Sequence, residues 1–204
     1  RRRHTISDRD WSSDVCSSDL RRSFRQLSPN ARRLYFISVI QPDLEYAACV
    51  TVPTMSNSLR DRLLAVWRKG VRCAAGAKWR DEVPPLLEQL RLTPLLHRWL
   101  VQTAVIIRRC HQGFAPQLLC DKLKKTNHRY ATRGNQSSLT PFVSCSSSGS
   151  VSFTNRAPLL WNAFNLDVRN SSSLSTFKSK LLSQLKHFDS SSQLLQLAFF
   201  STLQ

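Results

Sequence analysis

The stretch from Leu95 to Ile107 carries Leu95, Leu96, Trp99, Leu100, Val105, Ile106 and Ile107, an apolar set too wide for a single helical face. A helix of that kind is stable only when other elements surround it. The chain is therefore expected to build its core around a helix running from Pro94 to about Gln112. Gly113 stands just past its end, where a left-handed residue can stop it. Its Arg98, Arg108 and Arg109 are expected to emerge at the rim. The segment does not read as a membrane span. Gln102 and Thr103 interrupt it, Arg108 and Arg109 close it, and no stretch of the chain reaches the ~18 continuous apolar residues that a crossing needs.

Other helices follow from caps and spacing. Ser28 and Pro29 predict a helix over Asn30 to about Ile40, which Gln41-Pro42 either ends or kinks. A second runs from about Ser58 to Ala75, with Leu59, Leu63, Val66, Gly70 and Cys73 along one stripe. Pro84-Pro85 breaks the chain and opens a short helix, Leu86 to Leu90. Pro116 to Leu123 predicts another. Residues 124–150 turn basic and then serine-rich, and read as a mobile loop with an extended piece near Leu139 to Val143. Residues 151–188 read as a small module: a β-hairpin-like piece (Val151, Phe153) turning at Asn155-Arg156, then Trp161-Asn162, then a helix opened by Ser171 to Ser173. That helix places Leu174, Phe177, Leu181 and Leu185 on one face, with Lys178, Lys180 and Lys186 off it. The tail, 189–204, packs one last turn or is disordered. The expected class is mainly α, an irregular helical bundle with a small β-hairpin-like piece and disordered ends.

The head needs a separate account. Arg9 to Leu20, RDWSSDVCSSDL, matches without interruption the conceptual translation of a short-read sequencing adapter. Residues 1–20 are expected to be artefactual or disordered, and the protein-like region (a helical body over 21–123) to begin near Arg21 without its natural upstream sequence. This head holds four basic and four acidic residues, so the whole formal charge of +17 belongs to the remainder. Such an imbalance predicts attraction to polyanions, nucleic acid before an anionic membrane surface, because the basic residues are spread over many segments. Arg60, Arg62, Arg68, Lys69 and Arg72 crowd the helix Ser58 to Ala75, the best candidate for a nucleic-acid-facing element. The same residues also fit a solvated face on a core helix.

Catalytic constellations are missing. Cys110-His111, Cys120, His128 and Cys145 match no familiar zinc spacing, and no metal site or cofactor is expected. The cysteines show no C-x-x-C and read as reduced packing residues. Neither G-x-S-x-G nor a phosphate-binding glycine loop occurs. The acids are scattered and no Asp-Asp pair exists, so the clustered carboxylates of two-metal nucleotidyl transfer are absent from the sequence.

Phe153, Arg156-Ala157, Leu160-Trp161-Asn162, Arg169, Ser173-Leu174 and Phe177-Lys178 stand in an order that resembles the C-terminal region of non-LTR retrotransposon (LINE, jockey-like) reverse transcriptases. Leu34-Tyr35, Ile40, Pro42 and Leu44-Glu45-Tyr46 resemble the segment that follows their palm. Leu59 to Gly76 and Leu92 to Leu119 resemble the next two segments, so the likeness covers about Leu27 to Leu185. Phe164-Asn165 departs from the family's Leu-Pro. The resemblance implies a non-catalytic thumb or post-thumb region of an RNA-directed DNA polymerase. It would hold the RNA–DNA template-primer duplex through phosphates, in the nucleus when part of an active element. It further implies a second contact surface over Lys122, Lys124, Lys125, Arg129 and Arg133, with Tyr130 able to stack on a base. Two other readings stand beside it: the translation of a decayed element, and a helical protein-interaction module.

Overall fold

Helix boundaries in this chain sit where local chemistry satisfies the backbone. The computed structural model describes residues 26–124, 138–141, 146, 149, 152–186 and 194–196. Over them the fold is mainly α, an irregular helical bundle with no strand among the described residues. In chain order the helices are α1 (Pro29–Tyr35), a π-helical turn (Phe36–Ile40), α2 (Gln41–Glu45), α3 (Ala48–Thr54), α4 (Asn57–Ala75) and α5 (Val83–Leu90). Then come α6 (Leu95–His111), α7 (Gln117–Lys122), α8 (Phe153–Ala163), α9 (Leu166–Arg169) and α10 (Leu174–Lys186). The expected head, the end of the tail and most of the 124–150 loop lie outside the described residues.

Serines open three helices by accepting an otherwise orphaned N–H: Ser28 from Ala31 at 3.3 Å, Ser56 from Leu59 at 3.3 Å, Ser173 from Thr176 at 3.1 Å. Three helices close on the same paired backbone bonds. At Gly76 (φ 71°) the N–H reaches Cys73 O and that of Ala77 reaches Arg72 O; Gly113 (φ 79°) and Phe114 repeat this with Cys110 and Arg109. The third close uses Arg91 (φ 52°), with Leu92 bonding Leu87 O at 2.8 Å. A side chain there is strained where glycine is not.

The first helix neither ends nor breaks at Pro42. It widens into the π-helical turn and resumes as α2. The wider turn gives the proline ring room against the preceding carbonyls. Pro84 and Pro85 lie inside the first turn of α5, where a missing N–H costs nothing, so that helix begins three residues earlier than expected.

The chain divides into two units. The first comprises Arg1–Leu44 and Arg62–Leu92. Its core holds Phe36, Trp67, Val71, Ala74, Leu87 and Leu90. Gly70 lets the Phe36 ring lie against α4, since a Cβ there would meet the ring at 2.7 Å. The second unit comprises Glu45–Asp61 and Thr93–Gln204. Here α6 is central, as expected, packing against α3, α8 and α10. Trp99, Leu100, Ala104 and Ile107 are fully buried. Helix α10 buries Phe177, Leu181 and Leu185 on the expected face, and Lys178, Lys180 and Lys186 are exposed.

Three expectations are corrected. The β-hairpin-like piece is absent: Phe153, Asn155 and Arg156 occupy the first turns of α8, and Val151 lies outside the described residues. Helical spacing of Ala157, Leu160 and Trp161 toward the core outweighs a two-residue alternation. The stripe on α4 is rotated by about one residue, burying Arg60, Trp67, Val71 and Ala74 and exposing Leu59 and Val66. Trp67 offers more apolar area than either of those residues, and burial follows area. Arg108 is not at the rim of α6 but inside the core.

Replacing Arg91 by glycine is expected to stabilise the protein by about 1 kcal/mol, through relief of the left-handed conformation. The urea midpoint should rise with the slope unchanged; an unchanged or lower midpoint refutes the assigned strain.

Candidate functional site

The exposed face of α4 in the first unit follows from the rotated stripe. With Trp67, Val71 and Ala74 turned inward, Arg62 and Lys69, two turns apart, share the outer line of the helix. Arg68 is exposed beside them and Arg72 half-buried one turn further on. Among the described residues Arg62 and Arg68 make no hydrogen bond or ion pair. Past the end of α4 the chain adds Lys78 and Arg80, both exposed, so the helix face continues into a basic turn.

Between those two residues lies Trp79, which is 59 % exposed. Lys69 Nζ and Arg72 Cζ each lie 5.8 Å from the centre of its ring. The turn that carries it is tied at both ends. Asp81 takes the Lys78 N–H on its carboxylate at 2.6 Å and returns its own N–H to Lys78 O at 3.2 Å. Arg72 Nε then donates to Asp81 O at 2.9 Å, fixing the turn to the helix. Helical periodicity has no place for a tryptophan beyond Gly76. The signal was the run Lys78-Trp79-Arg80 itself, an aromatic residue interleaved with cations.

Arg60, expected on the same basic face, is turned inward and 3 % exposed. In the second unit it donates to Asn57 Oδ1 at 2.9 Å and to the carbonyls of Met55 and Val52 at 3.3 and 3.4 Å. Those carbonyls close α3, where a cation also meets the negative end of the helix dipole. Lys122 and Lys124 are exposed as expected. Lys125, Arg129, Arg133 and Tyr130 lie outside the described residues, as do His128 and Cys145.

The ordered residues of the C-terminal module converge in the second unit, and what they do is hold it together. The Trp161 ring stacks on His111 at 5.2 Å and on Phe177 at 6.1 Å, and meets Phe164 edge-on. Arg108, 2 % exposed, lies over the Phe177 ring at 4.9 Å and donates to Ser171 O at 2.6 Å. Burial lowers its pKa, yet a guanidinium stays charged. Asn162 works as a backbone mimic. Its Oδ1 accepts the Leu139 N–H at 3.0 Å and its Nδ2 donates to Leu139 O at 2.8 Å. Arg169 reaches Ser138 Oγ at 3.2 Å, so the short piece 138–141 is held from both sides. Phe164, where the order departs from Leu-Pro, is buried in the aromatic cluster.

Arg156 is the exception among these residues. Its Nε and Nη1 are buried and find no acceptor among the described residues. Burial first, and the charge of Arg60 second, lower its pKa. The charge of Arg60 adds to the positive field at Arg156, which an anion would relieve.

Glu45 and Cys110 are buried groups of the second unit with chemistry of their own. Glu45 is buried and receives both Arg98 Nε and Nη2, with Gln102 Nε2 on its second oxygen at 2.6 Å. This cluster borders a cavity of about 500 Å³ that Cys49, Val101 and Val105 also line. Cys110 is held beside Cys120, and burial, reinforced by that neighbour, pushes its thiol up to about 11, leaving it protonated at neutral pH. Among the described residues no three His, Cys, Asp or Glu side chains gather as a metal site, and no helix is long and apolar enough to cross a membrane. Comparison of the chain with protein-family models, curated proteins and solved structures finds no match.

Asn162→Ala removes two hydrogen bonds and leaves the Leu139 backbone unpaired, for an expected loss of about 2 kcal/mol. Asn162→Asp should cost more, because a carboxylate then faces the Leu139 carbonyl. Urea unfolding measures both; equal stability of all three proteins refutes the clamp.

Proposed function

We propose that this chain is a non-catalytic nucleic-acid-binding region that grips duplex through its phosphates, without reading sequence. The observation that carries this reading is the outer face of α4, where Arg62 and Arg68 have no counter-ion among the described residues. Lys69, Arg72, Lys78 and Arg80 extend it. Like charges so arranged repel one another at a cost that a polyanion removes, and each phosphate neutralised releases a condensed counter-ion. Its exposed Arg and Lys side chains, carried on a helix, suit contacts with a phosphate backbone, which position a duplex.

We propose further that its parent is the reverse transcriptase of a non-LTR retrotransposon, with this chain as the thumb or post-thumb element that holds template RNA and nascent DNA. The support is the residue order from Phe153 to Lys178, together with the absence from the sequence of any Asp-Asp pair that could hold catalytic metals. On this reading the Trp161-Asn162 module is the scaffold that closes the second unit and makes no contact with substrate.

Binding of RNA–DNA duplex, followed by fluorescence anisotropy, should weaken roughly a hundredfold between ~50 and ~200 mM salt if about four phosphates are neutralised. Arg62→Gln combined with Arg68→Gln should flatten the logarithmic salt slope by about 2, whereas Arg60→Gln should lower stability and leave the slope alone. Salt-insensitive binding, or none by a folded sample, sinks the phosphate reading and favours a protein-interaction module. The parentage has its own test in the genomic DNA upstream of Arg21, which should encode an in-frame Tyr-x-Asp-Asp palm. A different domain there would overturn it.

A further inference from the structure

We infer that Trp79 is a stacking platform for an unpaired nucleobase, and that the turn Lys78–Asp81 with the end of α4 forms a single-strand binding site. The inference deepens the phosphate-binding reading above and rests on it, but it adds a different chemistry: attraction to the face of a base.

The geometry separates this residue from an ordinary exposed side chain. Large apolar groups are scattered over most protein surfaces and single ones mean nothing. Trp79 differs because its surroundings are built. The turn beneath it is closed in both directions between Lys78 and Asp81, and Arg72 locks it to the helix. Gly76, at φ 71°, allows the chain to leave α4 at the angle that sets this turn beside Lys69 and Arg72. Two cations one turn apart on the same helix lie near the ring. With 59 % of the residue open to solvent, the side chain is accessible to a ligand while the two cations stay close to it. Cation–π contact also restrains the ring before any ligand arrives, which lowers the entropy lost on binding.

The site therefore offers what single-strand binding surfaces combine: an exposed aromatic ring for a base and neighbouring cations for the phosphates. Lys69, Arg72, Lys78 and Arg80 supply the cations. An acidic peptide could use the same cations, but it has no planar group to set on the ring, so stacking decides between the two partners.

The test measures binding of the full chain to a short oligothymidylate and to an abasic strand of the same length, at fixed salt. Trp79→Ala should weaken oligothymidylate binding roughly five- to a hundredfold and leave the abasic strand unaffected, with Trp79→Tyr restoring most of the loss. The salt slope should stay the same in all three proteins. Binding of both strands that is indifferent to Trp79 overturns the stacking site and leaves the phosphate reading intact. An equal loss for both strands also overturns it, since the ring then acts through the fold. If polyglutamate binds the wild type and loses as much as oligothymidylate on Trp79→Ala, the site is a protein-docking surface instead. Failure of the wild type to bind either strand overturns the single-strand site; the phosphate reading falls only if RNA–DNA duplex is not bound either. Circular dichroism of Trp79→Ala, an exposed position, checks that the variant is folded.

Discussion

A full positive charge in the core is the constraint on which the second unit depends. Arg108 lies almost completely buried on the central helix, with no carboxylate partner among the described residues. A buried charge is costly unless hydrogen bonds and electron-rich groups answer it. Here the Ser171 and Ser172 carbonyls accept from Nη2 and the Phe177 ring faces the guanidinium, while the buried Nε finds no acceptor among the described residues. Because Phe177 also stacks on Trp161, and Trp161 on His111, one arginine couples α6, α8 and α10. Removing it would leave a carbonyl unpaired and the aromatic cluster without its lid.

Arg156 apart, the same solution recurs where this acid-poor chain turns an arginine inward. Arg33 donates to Leu90 O at 2.7 Å, Arg60 to the carbonyls that end α3, and Arg72 to Asp81 O. Carbonyls left over at helix ends and turns are acceptors that need no acidic residue. Glu45 with Arg98 shows the other solution, a carboxylate received by a fork of two nitrogens. Carbonyl acceptors let the chain fold with 30 basic and 13 acidic residues. They also leave the outer charges of α4 unanswered, and the proposed function grows from that.

Much of the local structure was legible in residue types. Ser28, Ser173, Gly76 and Gly113 mark helix ends because capping depends on a hydroxyl or on a left-handed backbone, both local properties. The central place of α6 could be read because an apolar set wider than one face has no other solution. The rotation of α4 could not. Two overlapping stripes, one through Leu59 and Val66 and one through Trp67 and Val71, are both compatible with helical period. The choice between them belongs to the elements packed against the helix. The candidate site moved with that rotation: Arg60 left the surface, while Arg62 and Lys69 became its axis.

By itself, then, the sequence determined that the chain is mainly helical, where several of its helices start and stop, and how large its excess of positive charge is. These depend on side-chain chemistry within a turn or on sums over composition, and neither needs a partner element. Only the tertiary structure decided which arginines are structural, because an arginine's role depends on whether a carbonyl lies within reach of it. It alone turned Phe153 to Arg156 into helix, made Asn162 a backbone clamp and set Trp79 beside two cations. Each of those outcomes rests on groups distant in sequence or past a helix end, where periodicity carries no information.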